Sequence, residues 1–213
     1  MMAVYDLEEQ EQIDELKAWW KSYGNAVLMV IVAASLAVSG VIGWRAWGDR
    51  QALEAGELYV QLQGAVGSAD PKKVQDIAAV MADKYPRTGY AQFAALAAAK
   101  AAFDSGNLAE ARTRLQWVID RAKDDGTRDL ARLRLAVVLL DEKKLDEAFV
   151  ALQAPPAEAM TALFADLRGD VLSAQGKAAD ARSAYQLALD KTDAKSPYRG
   201  VIQGKLDSLG EAK

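Results

Sequence analysis

Residues 162–191 read ALFADLRGDVLSAQGKAADARSAYQLALDK, and the spacing of the small residues in this stretch decides the fold. Gly169 is followed by Gly176, then by Ala181, Tyr185 and Ala188, so small or flat side chains recur seven, five, four and three positions apart. On both sides of Gln175-Gly176 the apolar residues keep the helical period, which predicts two helices joined by a tight turn. Glycine at 176 marks the break between them. The alanines of the second helix fall on one face and let it lie close against a neighbour. The unit is a helical hairpin with its packing face written in small residues.

The same unit returns upstream. Leu145-Asp-Glu-Ala148 places an alanine 33 residues before Ala181, and the run Gly106, Leu108, Ala111, Leu115 places another 37 residues before Ala148. A fourth, degenerate pair covers roughly residues 50–85 and ends in Pro86. Between breaks at Pro71, Pro86, Gly106, Gly126, Lys143, Pro155-Pro156, Gly176 and Pro197 the composition is rich in Ala, Leu, Gln, Lys, Arg, Asp and Glu. No valine- or threonine-rich alternation interrupts it, so helices of about 12 to 17 residues are expected throughout. This pattern resembles the tetratricopeptide repeat, in which stacked hairpins bury a continuous core. Three departures stand out: no tryptophan opens a first helix, Lys143 occupies the turn glycine's place, and Pro155-Pro156 truncates a second helix.

Ahead of the repeats the chemistry changes. Between Lys21 and Arg45 no residue is charged, and the 19-residue run AVLMVIVAASLAVSGVIGW (residues 26–44) is close to the roughly 20 residues that cross a bilayer as a helix. Its nine Val, Leu and Ile residues favour insertion by about 4 kcal/mol. Trp19, Trp20 and Tyr23 mark one interface and Trp44 and Trp47 the other, because their amphipathic rings prefer the headgroup level. The leader is acidic and no small-x-small site follows, so the segment is expected to be a retained anchor rather than a cleaved signal. Without a charge inside it cannot relay protons or ions. Ser35, Ser39 and Gly43 share one face at four-residue intervals, a spacing that allows close helix approach.

The expected fold class is therefore all-α, with one transmembrane helix followed by a tetratricopeptide-like helical-hairpin solenoid. The expected domains are an acidic arm at residues 1–23 forming a short amphipathic helix, the span at 24–47, and the repeat domain at 48–213 with a C-terminal capping helix. Within the arm, Asp6, Glu8, Glu9, Glu11, Asp14 and Glu15 face only Lys17 and Lys21. That surplus equals the whole chain's net charge of −4, leaving the rest neutral. A neutral domain is a poor partner for nucleic acid, which needs a basic stripe.

The chain has neither cysteine nor histidine. Serine, cysteine and zinc chemistries that depend on thiolate or imidazole are thereby removed. Gly176-Lys177 is no phosphate loop, since Ala178 stands where a magnesium-binding hydroxyl belongs. No catalytic residue, metal site, cofactor or small-molecule substrate is indicated. Standard repeat geometry projects Phe93, Leu96, Phe103, Leu130, Leu133, Val137, Leu163, Asp166 and Asp170 toward a concave groove for an extended or helical partner segment.

An acidic arm, one span ending Gly43-Trp44-Arg45, and a repeat domain containing ADLRGDVLSAQGKAADARSAY (residues 165–185) together resemble the YfgM-like family of ancillary SecYEG translocon subunits. The resemblance implies a bacterial inner-membrane protein with a cytoplasmic N-terminus and a periplasmic helical domain. It implies association with the SecYEG translocon and with a membrane-anchored periplasmic prolyl isomerase chaperone, to help translocated proteins fold. It supplies no catalytic residue. Charge does not set the orientation by itself, because Lys17 and Lys21 on one side balance Arg45 and Arg50 on the other. A cytoplasm-facing scaffold or stress-signalling regulator is the alternative.

Overall fold

The computed structural model describes the backbone of residues 3–210 and the side chains of residues 11–210. Asp6, Glu8 and Glu9 of the acidic arm, and the final residues 211–213 of the repeat domain, lie outside the described side chains. The chain divides into two compact units, Met1–Gln51 and Ala52–Lys213. Helix α1, Ala3–Gly67, contributes to both.

In the first unit α1 runs through the acidic arm and the apolar run, where no proline or capping residue stops it. Its most apolar 18-residue window has a mean hydropathy of 2.5 and none of it is buried. A helix that is apolar on every side and covered by no protein suits a lipid surround, and α1 is long and apolar enough to cross one. The aromatic pairs are in ring contact, with centroids 5.9 Å apart for Trp19 and Tyr23 and 5.5 Å for Trp44 and Trp47.

The second unit begins with the last turns of α1 and continues through α2 (Pro71–Lys84), α3 (Gly89–Asp104), α4 (Leu108–Arg121), α5 (Asp125–Asp141), α6 (Leu145–Ala151), α7 (Thr161–Ala174), α8 (Ala178–Lys191) and α9 (Tyr198–Ser208). Among the described residues there is no strand. Side-chain caps start the first four of these helices. Asp70, Thr88, Asn107 and Asp124 each accept a hydrogen bond from the backbone N–H three residues on, satisfying donors that the helix cannot. Consecutive helices pack as hairpins, and α3, α5 and α7 form the row of first helices.

The alanines aligned from the sequence hold the same structural place. Ala111, Ala148 and Ala181 are all fully buried, as is Ala78 at the matching point of α2. The three hairpin turns are also alike, with Gly106, Lys143 and Gly176 at φ of 76°, 62° and 75°. Lys143 thus adopts the left-handed conformation that glycine takes in its siblings, at a cost of about 1–2 kcal/mol for a residue with a Cβ. Gly169 is needed for another reason: a Cβ there would lie 2.4 Å from the ring of buried Tyr185, so α7 and α8 touch only because that position is bare.

Two helices are short, α6 as the Pro155-Pro156 pair predicts and α9 without such a signal. Helix α6 has seven residues and α9 eleven. After α6 the chain reaches Pro155-Pro156, and arginines replace the missing helical hydrogen bonds. Arg132 donates to the carbonyls of Ala151 (3.2 Å) and Ala154 (2.6 Å), and Arg168 donates to that of Leu152 (2.6 Å). Buried Asp129 pairs with Arg132 at 2.8 Å and accepts from the Ala157 N–H at 2.7 Å. The truncated repeat is closed by a polar clamp.

Candidate partner-binding face

The nine groove residues expected from the sequence fall into three groups. Phe93, Val137 and Leu163 are exposed, at 47%, 39% and 38% of their surface, on α3, α5 and α7 respectively. Phe103, Leu130 and Leu133 are half-buried and pack against the central core. Leu96, Asp166 and Asp170 do not face a groove. Leu96 is 4% exposed and belongs to the core between α3 and its neighbours, because α3 is sandwiched and has few free positions.

Asp166 and Asp170 instead form a socket for α9. The Lys205 ammonium lies 2.8 Å from an oxygen of each, Tyr198 donates to Asp166 at 2.5 Å, and Tyr185 donates to Asp170 at 2.8 Å. Burial alone would push the Lys205 ammonium down, but the hydrogen bonds to Asp166 and Asp170 outweigh it and hold its pKa above the ordinary value. Burial and then the carboxylate hydrogen bonds push both tyrosines up from their usual 10. The capping helix is thus pinned to the face that the helical wheel assigns to a groove.

Structure brings two of the expected residues together with others that the spacing did not single out. Phe103 and Val137 line a cavity of about 210 Å³ between α3 and α5, floored by Ala99, Leu115 and Val138 and edged by Lys100, Asp104 and Arg134. Lys100 is committed to Asp104, its Nζ 2.8 and 3.0 Å from the two carboxylate oxygens. Arg134 is half-buried, and burial pushes its guanidinium below the ordinary value. Its position was readable as a break in the Leu130–Val137 column, four residues after one and three before the other. A second apolar depression of about 410 Å³ lies on the other side of the Lys100–Asp104 pair, lined by Val66, Pro71, Val74, Ala97 and Ala101 among others. At the start of the row, Tyr59 stacks against Tyr90 at 5.5 Å and against Phe93 at 6.4 Å. Every one of these features offers shape and apolar surface rather than reactive groups.

In the first unit, Trp19, Trp20, Tyr23, Trp44 and Trp47 are all exposed. The face of Ser35, Ser39 and Gly43 is also exposed, and no atom would meet a Cβ at Gly43.

Comparison with known proteins covers both units. A family model for the tetratricopeptide repeat-like domain matches residues 17–211. The chain is similar to the ancillary SecYEG translocon subunit of Neisseria gonorrhoeae, 35% identical over 207 residues that span 95% of this chain and 98% of that one. It is similar to the Haemophilus influenzae subunit of the same name, at 31% over 188 residues covering 86% and 90% of the two chains. The Escherichia coli subunit is 29% identical over 211 residues, covering 98% and 99%.

Proposed function

The chain belongs to the family of the ancillary SecYEG translocon subunits, and from that membership we propose that it is a non-enzymatic interaction module tethered beside the Sec translocon. The observation that carries this reading is coverage from end to end: the relatives match the apolar helix and the repeats together, so anchor and binding domain are one device. In this reading the domain lies in the periplasm and the N-terminus in the cytoplasm of a bacterial inner-membrane protein. There its first-helix face holds a segment of a partner, and it serves the handover of translocated proteins to a membrane-anchored prolyl isomerase chaperone. Helix α1 brings the domain to the membrane, and its Ser35, Ser39 and Gly43 face offers a close-packing surface to another span. Non-catalytic action accords with a face of apolar surface and committed ion pairs.

Two measurements test this. A periplasm-dependent reporter fused after Lys213 is expected to be active; activity only of a cytoplasmic reporter would replace the reading with that of a cytoplasm-facing scaffold or regulator. A photo-crosslinker at Phe93 or Val137 is expected to capture SecYEG or a periplasmic chaperone. The same probe at Val150, exposed on the second helix α6, is expected to capture neither. Equal capture from both faces would refute the assigned surface.

A further inference from the structure

Arg134 is the one charge of the α3–α5 cavity that the structure leaves uncommitted. Among the described residues it has no hydrogen bond and no ion pair, although it is half-buried and lines an apolar cavity. Lys100 and Asp104, the other charged residues at the edge, neutralise each other. A guanidinium removed from part of its water without a counter-charge is unfavourable in the free domain. It is also preorganised for one ligand class, since its planar fork matches a carboxylate with two parallel hydrogen bonds. An apolar cavity of about 150 Å³ admits benzene, so the 210 Å³ here has room for a leucine, methionine or phenylalanine side chain.

We propose that the cavity between α3 and α5 docks an internal segment of a partner protein in which a bulky apolar residue sits beside an aspartate or glutamate. The apolar side chain fills the space between Phe103, Leu115 and Val137, and the carboxylate closes on Arg134. Lys100 and Asp104 border both this cavity and the second apolar depression, so a chain that leaves the first across their ion pair meets further apolar surface, which suits a segment that runs on rather than one that ends there. This site rests on the reading of the first-helix row as the partner face and gives that face a specificity.

The test uses the full chain in detergent micelles and fluorescein-labelled peptides with blocked ends, Ser-Ala-Leu-Leu-Glu-Ala-Ser and its glutamine counterpart, followed by anisotropy. The glutamate peptide is expected to bind at least about tenfold more tightly, in line with a charge-assisted hydrogen bond. Arg134→Gln is expected to erase that ratio while leaving the helical signal and thermal midpoint unchanged or raised, because the guanidinium has no partner to lose. Phe103→Ala is expected to weaken both peptides and keep the ratio. Equal binding of the two peptides, absence of binding by both up to about 1 mM, or a ratio that survives Arg134→Gln overturns the site. Tighter binding of a version ending in a free leucine carboxylate overturns the internal-segment assignment. Recovery of SecYEG with the wild-type chain, measured alongside, separates the two levels: recovery without peptide discrimination removes only this site, and loss of recovery strikes the broader reading.

Discussion

The hairpins α5–α6 and α7–α8 are neighbours in one array and are closed by opposite means. In α7–α8 the helices meet through a bare glycine, a buried tyrosine ring and fully buried alanines at 181 and 188. In α5–α6 the second helix stops after seven residues, and Asp129, Arg132 and Arg168 hold the loop that follows by its carbonyls and an N–H. The lesson is that repeat geometry is set by where the backbones must lie, and either close packing or a polar network that grips the backbone can put them there.

The largest expected effect breaks the polar side of this contrast. Asp129→Ala takes the carboxylate from Arg132, which is left with only the carbonyls of Ala151 and Ala154, and breaking so largely buried a pair costs about 3 kcal/mol. Denaturant unfolding of the full chain is expected to show that loss, with hydrogen exchange rising first in α5–α6. Unchanged stability would mean that the clamp is incidental. Next comes the packing side. Gly169→Ala drives a Cβ into the Tyr185 ring and is expected to cost about 1–3 kcal/mol, as overpacked cores do. Adding Tyr185→Leu should recover much of it; no recovery would place the damage elsewhere.

The α7–α9 end should also be the alkali-sensitive one. Lys205 titrates above its ordinary value in the folded chain, so the stability it brings is complete below about pH 10.5 and is lost as pH rises through the folded value. Tyr185 and Tyr198 act in the same direction, because the unfolded phenols ionise near pH 10 while the folded ones resist. As pH rises above about 10, exchange protection is expected to fall in α9 before it falls in α3–α6. Simultaneous loss along the array would refute the local origin. The smallest effect compares the turns. Lys143→Gly should gain about 1 kcal/mol by relieving left-handed strain, and Gly176→Ala should lose a similar amount, both read as shifts in thermal midpoint.

These contrasts also mark what the sequence makes legible. Ala111, Ala148, Ala181, Gly169 and the turn residues could be read directly, because close approach demands small side chains at fixed intervals and the interval survives as spacing. The clamp could not be read, since Asp129 meets Ala157 across a loop whose path depends on both hairpins. A helical wheel projects Asp166 and Asp170 to a groove because it knows only its own helix, whereas α9 returns to cover them. Arg134 shows in the sequence as a break in the Leu130–Val137 column, but the cavity it edges does not, because a gap between α3 and α5 has no residue of its own to repeat.

Sealing by α9 also limits how such a domain can grow. A tandem array ordinarily lengthens by copying a unit at its end, each copy stacking on the last. Here the final first-helix carboxylates are already matched to a lysine and a tyrosine from the chain's own closing segment. A unit stacking on this face of α7 would first have to displace α9 and break the contacts of Tyr198 and Lys205 to Asp166 and Asp170.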